Sequence, residues 1–274
     1  MRPERTFLAA VAALLLLGVP GQSQAQLVLY ENFNVKRIDP SKWQGGEFEV
    51  SGAPNTETAR RIEDGKLELS LTSYGSTGSD SGTAGITSTR LGVTNPAAVT
   101  TLQAAVTVMS ATVNGCAANM MTATRARANL FGSFFNDGTS PGAGNLTGDI
   151  RAVLHKVRDS ILGDRIEAFL NRCTDLACSS STQLGFQVFT TVWEKEEADT
   201  LRVQWDPDNK RFLYSVNPGT GGEETIALGY AVSDALPPVS AFKQLSVGSG
   251  VASCTTGRPS ASIKAKFDNV RVNP

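Results

Sequence analysis

The chain has 274 residues, 41% of them hydrophobic and 19% charged, with 25 basic against 26 acidic side chains, 26 glycines and one histidine. That apolar share can bury a core and excludes a disordered chain. A charge balance this near zero excludes a nucleic-acid binder, which needs a basic surplus to neutralise phosphates.

Residues 1–25 have the layout of a secretory signal peptide. Arg2 and Arg5 give a short positive region, Phe7–Val19 is apolar throughout, and Ser23 and Ala25 set small residues before a cut at Gln26. The apolar run is too short to span a bilayer, and no later stretch is apolar for about 18 residues, so no membrane span is expected. The expectation is a protein secreted or delivered to the periplasm. From 26 to 274 there is no composition break and no repeat, which reads as one domain.

The remainder reads as strands. Leu67, Leu69 and Leu71 alternate with Glu68 and Ser70 after the turn Glu63-Asp64-Gly65-Lys66. Further runs follow at Leu102–Thr112, Met120–Phe135, Asp149–Arg158, Arg165–Arg172, Phe186–Trp193, Thr200–Trp205, Arg211–Val216, Leu245–Gly248 and Ile263–Val272. Turn signals separate them, at Tyr74–Gly78, Asp137-Gly138, Asp206-Pro207-Asp208-Asn209 and Asn217-Pro218-Gly219. Residues 232–242 hold room for one helical turn. Many short strands with tight turns imply an all-β sandwich or barrel, which removes or protects sheet edges. Trp205 is in phase with Leu201 and Val203 and is expected in the core.

Four cysteines allow three pairings. Cys173 and Cys178 are spaced for a local staple, which leaves Cys116 with Cys254 as a long-range bridge; a zinc site is disfavoured by the single histidine and the lack of a CxxC pair.

Several short motifs point to a family. Leu29-Tyr30-Glu31-Asn32-Phe33 leads to Ile38-Asp39-Pro40-Ser41-Lys42-Trp43; Ile62–Leu69 follows, and Phe267-Asp268-Asn269-Val270-Arg271-Val272 closes the chain. This order, with the hairpin Leu201–Asn217, resembles the concanavalin A-like lectin/glucanase superfamily, including laminarinase-type hydrolases and laminin G-like domains. The resemblance implies a jelly roll of two curved antiparallel sheets with glycans placed on the concave one. It also implies a structural calcium, with Glu31, the Gly65 carbonyl and Asp268 at the matching positions.

The hydrolases of that group carry Glu-x-Asp-x-x-Glu on one strand, or one residue more, so that two carboxylates share a face. That signature is missing. The nearest string, Glu194-Lys195-Glu196-Glu197-Ala198-Asp199, sits where a hairpin turn is expected and reads as a solvated charge run. No Gly-x-Ser-x-Gly or phosphate-binding glycine loop occurs.

Side chains alternate across a strand, so each run divides into two faces. Thr124, Ala126, Ala128 and Leu130 suit a core and leave Arg125, Arg127 and Asn129 outside. Ile150, Ala152 and Leu154 leave Arg151, Val153 and His155; Ile166, Ala168 and Leu170 leave Arg165, Glu167, Phe169 and Asn171. With these strands as neighbours, Arg125, Arg127, Asn129, Arg151, His155, Glu167 and Phe169 form a polar face rich in guanidinium. Such groups pair with carboxylate or sulfate, and Phe169 offers a ring for a sugar to stack on. The expected function is a lectin-like, non-catalytic carbohydrate-binding or adhesion module whose partner is a glycan, with an acidic one favoured. The competing classes are a glycoside hydrolase or polysaccharide lyase with displaced acids, and a structural envelope or matrix protein.

Overall fold

Strict alternation of apolar and polar side chains only makes sense if each strand is sealed on one side, and the computed structural model shows that arrangement. It describes residues 26–44, 49–53, 55–76, 85–116, 123–140 and 142–273. The expected signal peptide therefore lies outside the described residues, as do the first residues of the run expected from Met120.

The strands in chain order are β1 (Val28–Glu31), β2 (Trp43–Gln44), β3 (Glu49–Ala53), β4 (Thr56–Glu63), β5 (Lys66–Tyr74), β6 (Gly85–Val93), β7 (Thr101–Asn114) and β8 (Arg125–Asn136). They continue as β9 (Asp149–Asp159), β10 (Gly163–Cys173), β11 (Ser181–Val188), β12 (Ala198–Asp206), β13 (Arg211–Val216), β14 (Glu224–Gly229), β15 (Phe242–Val251) and β16 (Ser260–Val272). A nine-stranded sheet runs β14-β13-β12-β7-β16-β5-β4-β3, with β1 added beside β16. A seven-stranded sheet runs β11-β10-β9-β8-β15-β6-β2. Each pairing is antiparallel, and the two-sheet jelly-roll sandwich expected from the sequence is the fold observed. Among the described residues no helix is long and apolar enough to cross a membrane.

The core lies between the sheets. Ala126, Ala128, Leu130, Ile150, Ala152, Leu154, Ile166, Ala168 and Leu170 all face it and are fully buried. An aromatic cluster fills one end: Phe135 stacks on Trp205 at 5.2 Å, and Phe134 meets Phe212 edge-on at 5.0 Å. Trp205 packs against this core, partly buried, and donates its Nε1 hydrogen to Tyr230 Oη at 2.8 Å.

Two lysines break the inward pattern. Lys156 points from β9 into the sandwich and binds the other sheet, through Val106 O at 2.7 Å and Asp199 Oδ2 at 2.8 Å. Asp199 is thus half-buried and committed, rather than part of a solvated charge run. Lys243 is buried with only the carbonyls of Ser133 (2.6 Å) and Pro96 (3.2 Å) and the ring of Phe134 for company. Burial without a counter-ion pushes its ammonium down to about 7.

Local chemistry explains the element boundaries. Asp64 and Gly65 join β4 to β5 with φ of 51° and 69°, the positive values that a tight hairpin matched to strand twist requires. The strand expected over Phe186–Trp193 instead spans Ser181–Val188, and the chain leaves the sheet at Phe189. It does so because Thr190 and Thr191 donate their backbone hydrogens to the Glu224 carboxylate, and Trp193 buries itself with Nε1 on Val157 O. Residues 232–242 form no helical turn: the backbone hydrogens of Val239 and Ser240 go to the buried carboxylate of Asp149.

Both disulfides have the expected partners. Cys116–Cys254 closes a separation of 138 residues and Cys173–Cys178 one of 5, with Cα–Cα distances of 5.4 and 4.8 Å. Loop-closure entropy makes the first worth about 5 kcal/mol and the second about 2 kcal/mol. Serine at Cys116 and Cys254 therefore lowers the free energy of unfolding in denaturant by more than twice the loss caused by serine at Cys173 and Cys178; equal losses would contradict this assignment.

Candidate functional site

The outer face of the seven-stranded sheet is built in rows. Across β6, β15, β8, β9 and β10 the register aligns Arg90, Ser246, Asn129, His155 and Glu167 in one row about 19 Å long. A second row, about 6.7 Å along the strands, holds Ser88, Gly248, Arg127, Val157 and Arg165. On the other side stand Gly92, Gln244, Phe131, Val153 and Phe169, and β11 extends that row with Phe186. The three arginine-bearing strands expected to be neighbours are neighbours, in the order β10-β9-β8.

A groove of about 290 Å³ lies on this face. Of the residues expected in the site, Arg125, Arg127, Asn129, His155 and Phe169 line it. Arg151 and Glu167 do not. Arg151 lies over the rings of Phe131 and Phe242, at 5.9 and 5.3 Å, and Glu167 is only 1% exposed. The sequence reading missed Ser88 and Arg90 from β6 and Gln244, Ser246 and Gly248 from β15. A signal existed for the first two, since Ser88, Arg90 and Gly92 alternate with Thr89, Leu91 and Val93.

One side of the face is saturated with internal contacts. Asp159 binds Arg125 at 2.6 Å and Arg165 at 3.2 Å, and its other oxygen accepts from the backbone of Ile161 and Leu162. Arg165 also donates to Glu167, whose second oxygen lies 2.8 Å from His155 Nε2. Burial alone raises the Glu167 carboxyl, but the hydrogen bonds of His155 and Arg165 and the Arg165 charge pull it the other way and leave it below the ordinary range. Burial lowers His155 from its usual 6.5 to about 4, against the opposing pull of Glu167 and with help from the positive charge of Arg127, so the ring is neutral at physiological pH.

The other side is unsatisfied. Among the described residues Arg127 makes no hydrogen bond and no ion pair, and its Nε is shut off from water without a partner. Burial and the nearby Arg125 charge lower its guanidinium to about 10. Arg151 has the same orphaned Nε, and burial lowers it too. Phe169, between His155 at 5.2 Å and Phe186 at 4.6 Å, supplies the aromatic wall. Among the described residues, three arginines and no carboxylate line the groove, so it offers charge to an anion and an apolar wall to a ring.

The residues matched to a structural calcium do not fit one. Glu31 Oε1 accepts from the backbone of Asn32 and Phe33, and Oε2 faces the Lys42 ammonium at 3.4 Å, while among the described residues no three His, Cys, Asp or Glu side chains gather as metal ligands. Asp268 accepts from the backbone of Asn269, and Gly65 sits in the hairpin turn beside Asn34. Calcium needs six to eight oxygens in one shell, and this set does not supply them.

No family model matches the chain, and no curated protein does. Solved structures do resemble it. An endo-β-galactosidase from Clostridium perfringens that releases GlcNAcα1-4Gal aligns at 12% identity over 90% of this chain, with a TM-score of 0.47; this chain spans 62% of its length. The exoplasmic/lumenal domain of VIP36, in a Ca²⁺- and Man3GlcNAc-bound form, aligns at 11% over 89% of this chain and 90% of its own, with a TM-score of 0.37. Lectin II from Ulex europaeus aligns at 11% over 86% and 96%, with a TM-score of 0.33. These lectin and glycosidase names belong to the groups the sequence motifs resemble, and the likeness is one of fold.

Because the folded state holds His155 neutral, stability from this ring is complete above pH 6.5 and falls as the pH drops toward 4, by about 3 kcal/mol. Glu167 and Asp159, both held below their ordinary values, extend the loss to lower pH. Melting temperature followed from pH 7 to 4 should fall, and His155→Gln should flatten the upper part of that slope; parallel curves would refute it. A chelator should leave the melting temperature unchanged, and a drop restored by calcium would overturn the reading of Glu31 and Lys42.

Proposed function

We propose that this chain is an exported, non-catalytic carbohydrate-binding or adhesion module that holds an acidic glycan across the outer face of its seven-stranded sheet. The observation that carries the proposal is Arg127, a half-buried guanidinium without a hydrogen bond or ion pair among the described residues, lining a groove with Phe131 and Phe169. Holding a cation partly out of water with nothing to meet it is unfavourable, and natural structures keep such groups where a ligand completes them. A carboxylate or sulfate on a sugar supplies the missing charge, while the sugar ring lies against phenylalanine.

The carboxylates beside the groove support binding over hydrolysis. Asp159 and Glu167 are both tied to Arg165, so neither is free to act as nucleophile or proton donor. The two disulfides and the N-terminal layout support export.

The test is a glycan array with the mature chain, followed by titration of the strongest ligand. Binding should favour acidic glycans and weaken as salt rises. Arg127→Ala should reduce affinity about tenfold or more, the worth of a charge-assisted hydrogen bond. Arg125→Ala should cost less, because Arg125 is already held by Asp159. Absence of signal on every glycan, or affinity unchanged when both arginines are replaced, would overturn the proposal.

A further inference from the structure

Arg127 Nε and His155 Nδ1 are both buried, both without a partner among the described residues, and both belong to residues that line the groove. They are complementary. Arg127 Nε carries a hydrogen it gives to nothing. For His155 the neighbours decide the tautomer: Nε2 lies 2.8 Å from Glu167 Oε2, while Glu167 Oε1 takes a hydrogen from Arg165. An ionised carboxylate only accepts, so Nε2 holds the ring's one hydrogen and Nδ1 presents a bare lone pair.

The register places the two groups within reach of one guest. Asn129 stands directly opposite His155, and Arg127 is two residues along the same face of β8, a diagonal of about 7–8 Å that an arginine side chain spans. A guest seated between them must accept from Arg127 and donate to His155. Carboxylate and sulfate oxygens accept only, and an ammonium donates only; a hydroxyl does both. Both atoms are closed to water here, so the guest enters by displacing a side chain. Arg127 can move without breaking a side-chain hydrogen bond to any described residue, and its guanidinium can follow an anionic group as it goes.

We infer that His155, positioned by Glu167 and Arg165, is a specificity-determining residue that accepts a hydrogen bond from a ligand hydroxyl adjoining the ligand's anionic group. The substrate class follows. A hydroxylated acid sugar such as a uronate satisfies both orphaned atoms, whereas the same anion with its neighbouring hydroxyls capped leaves a buried acceptor unpaired and is rejected. The inference rests on the glycan-binding reading above and narrows it.

The chain's single histidine makes the test unambiguous, because ¹⁵N-labelled imidazole gives one pair of signals. Without ligand, Nδ1 should show the shift of an unprotonated nitrogen and Nε2 that of a protonated one. Oligogalacturonate should move Nδ1 toward its hydrogen-bonded position. In parallel, the wild-type chain should bind oligogalacturonate about ten- to a hundredfold more tightly than its O-methylated, hydroxyl-capped counterpart, the factor of one unmade buried hydrogen bond. His155→Gln keeps a donor for Glu167, but its remaining acceptor is an amide oxygen displaced from the Nδ1 position, so the variant should erase that preference without weakening the capped ligand.

A protonated Nδ1 in the free protein overturns the inference, as does a preference that survives His155→Gln, which would mark simple crowding by the methyl groups. Equal binding of both probes, still weakened by Arg127→Ala, overturns it while leaving glycan binding intact. Binding of neither probe overturns the inference, and glycan binding then falls as well if the array shows no signal on any glycan. Should His155→Gln fail to fold, the imidazole signals of the wild-type protein decide.

Discussion

Each strand of the seven-stranded sheet has one face that water must not reach, and everything at the site follows from that constraint. Ala126, Ala128 and Leu130 are sealed against the core, so Arg125, Arg127 and Asn129 are necessarily on the other side. A one-residue slip of β8 would drive two guanidinium groups into the sandwich, so register is fixed by what cannot be buried as firmly as by what must be. Fixed register is what lines up Asn129, His155 and Glu167 in one row, and Arg127 beside them, from segments that share no local sequence signal.

On that face the charges divide into two populations. Arg125, Asp159, Arg165, Glu167 and His155 form a continuous chain of hydrogen bonds that holds the side chains in place and keeps the imidazole in one tautomer. Arg127 and Arg151 lie outside this chain, desolvated enough for burial to lower both, yet bound to nothing that neutralises them. An ordered base beside unsatisfied donors suits the proposed anion site, since the hydrogen-bonded side chains lose little freedom when a ligand arrives. The same arrangement costs the unliganded protein stability, the usual exchange at a functional surface.

Much of this was readable from local pattern. The Leu67–Leu71 alternation, the Asp64-Gly65 turn and the arginine-bearing faces all rest on contacts between near neighbours in sequence, and they were recovered. The short spacing of Cys173 and Cys178 left a single partner for Cys116. What escaped depended on long-range placement. β15 inserts between β8 and β6, more than a hundred residues away from either, so the contributions of Arg90 and Gln244 could not be assigned to the groove. Lys156 and Lys243 occupy inward positions where a period of two predicts apolar residues; they are tolerated because Val106 O and Asp199 meet Lys156 across the core, and the carbonyls of Ser133 and Pro96 meet Lys243. The positions matched to calcium failed for a similar reason, since only the fold brings the Lys42 ammonium against Glu31.

The central claim is that the outer face holds an anion site whose key group is the unpaired Arg127. Side-chain Nε–H signals of arginine report it directly, recorded while an acidic oligosaccharide is added. The Arg127 signal should move through a saturable titration while that of Arg125, locked on Asp159, stays nearly fixed. Two signals that shift together in proportion to ionic strength, or an Arg127 signal that does not move for any acidic glycan, would contradict it.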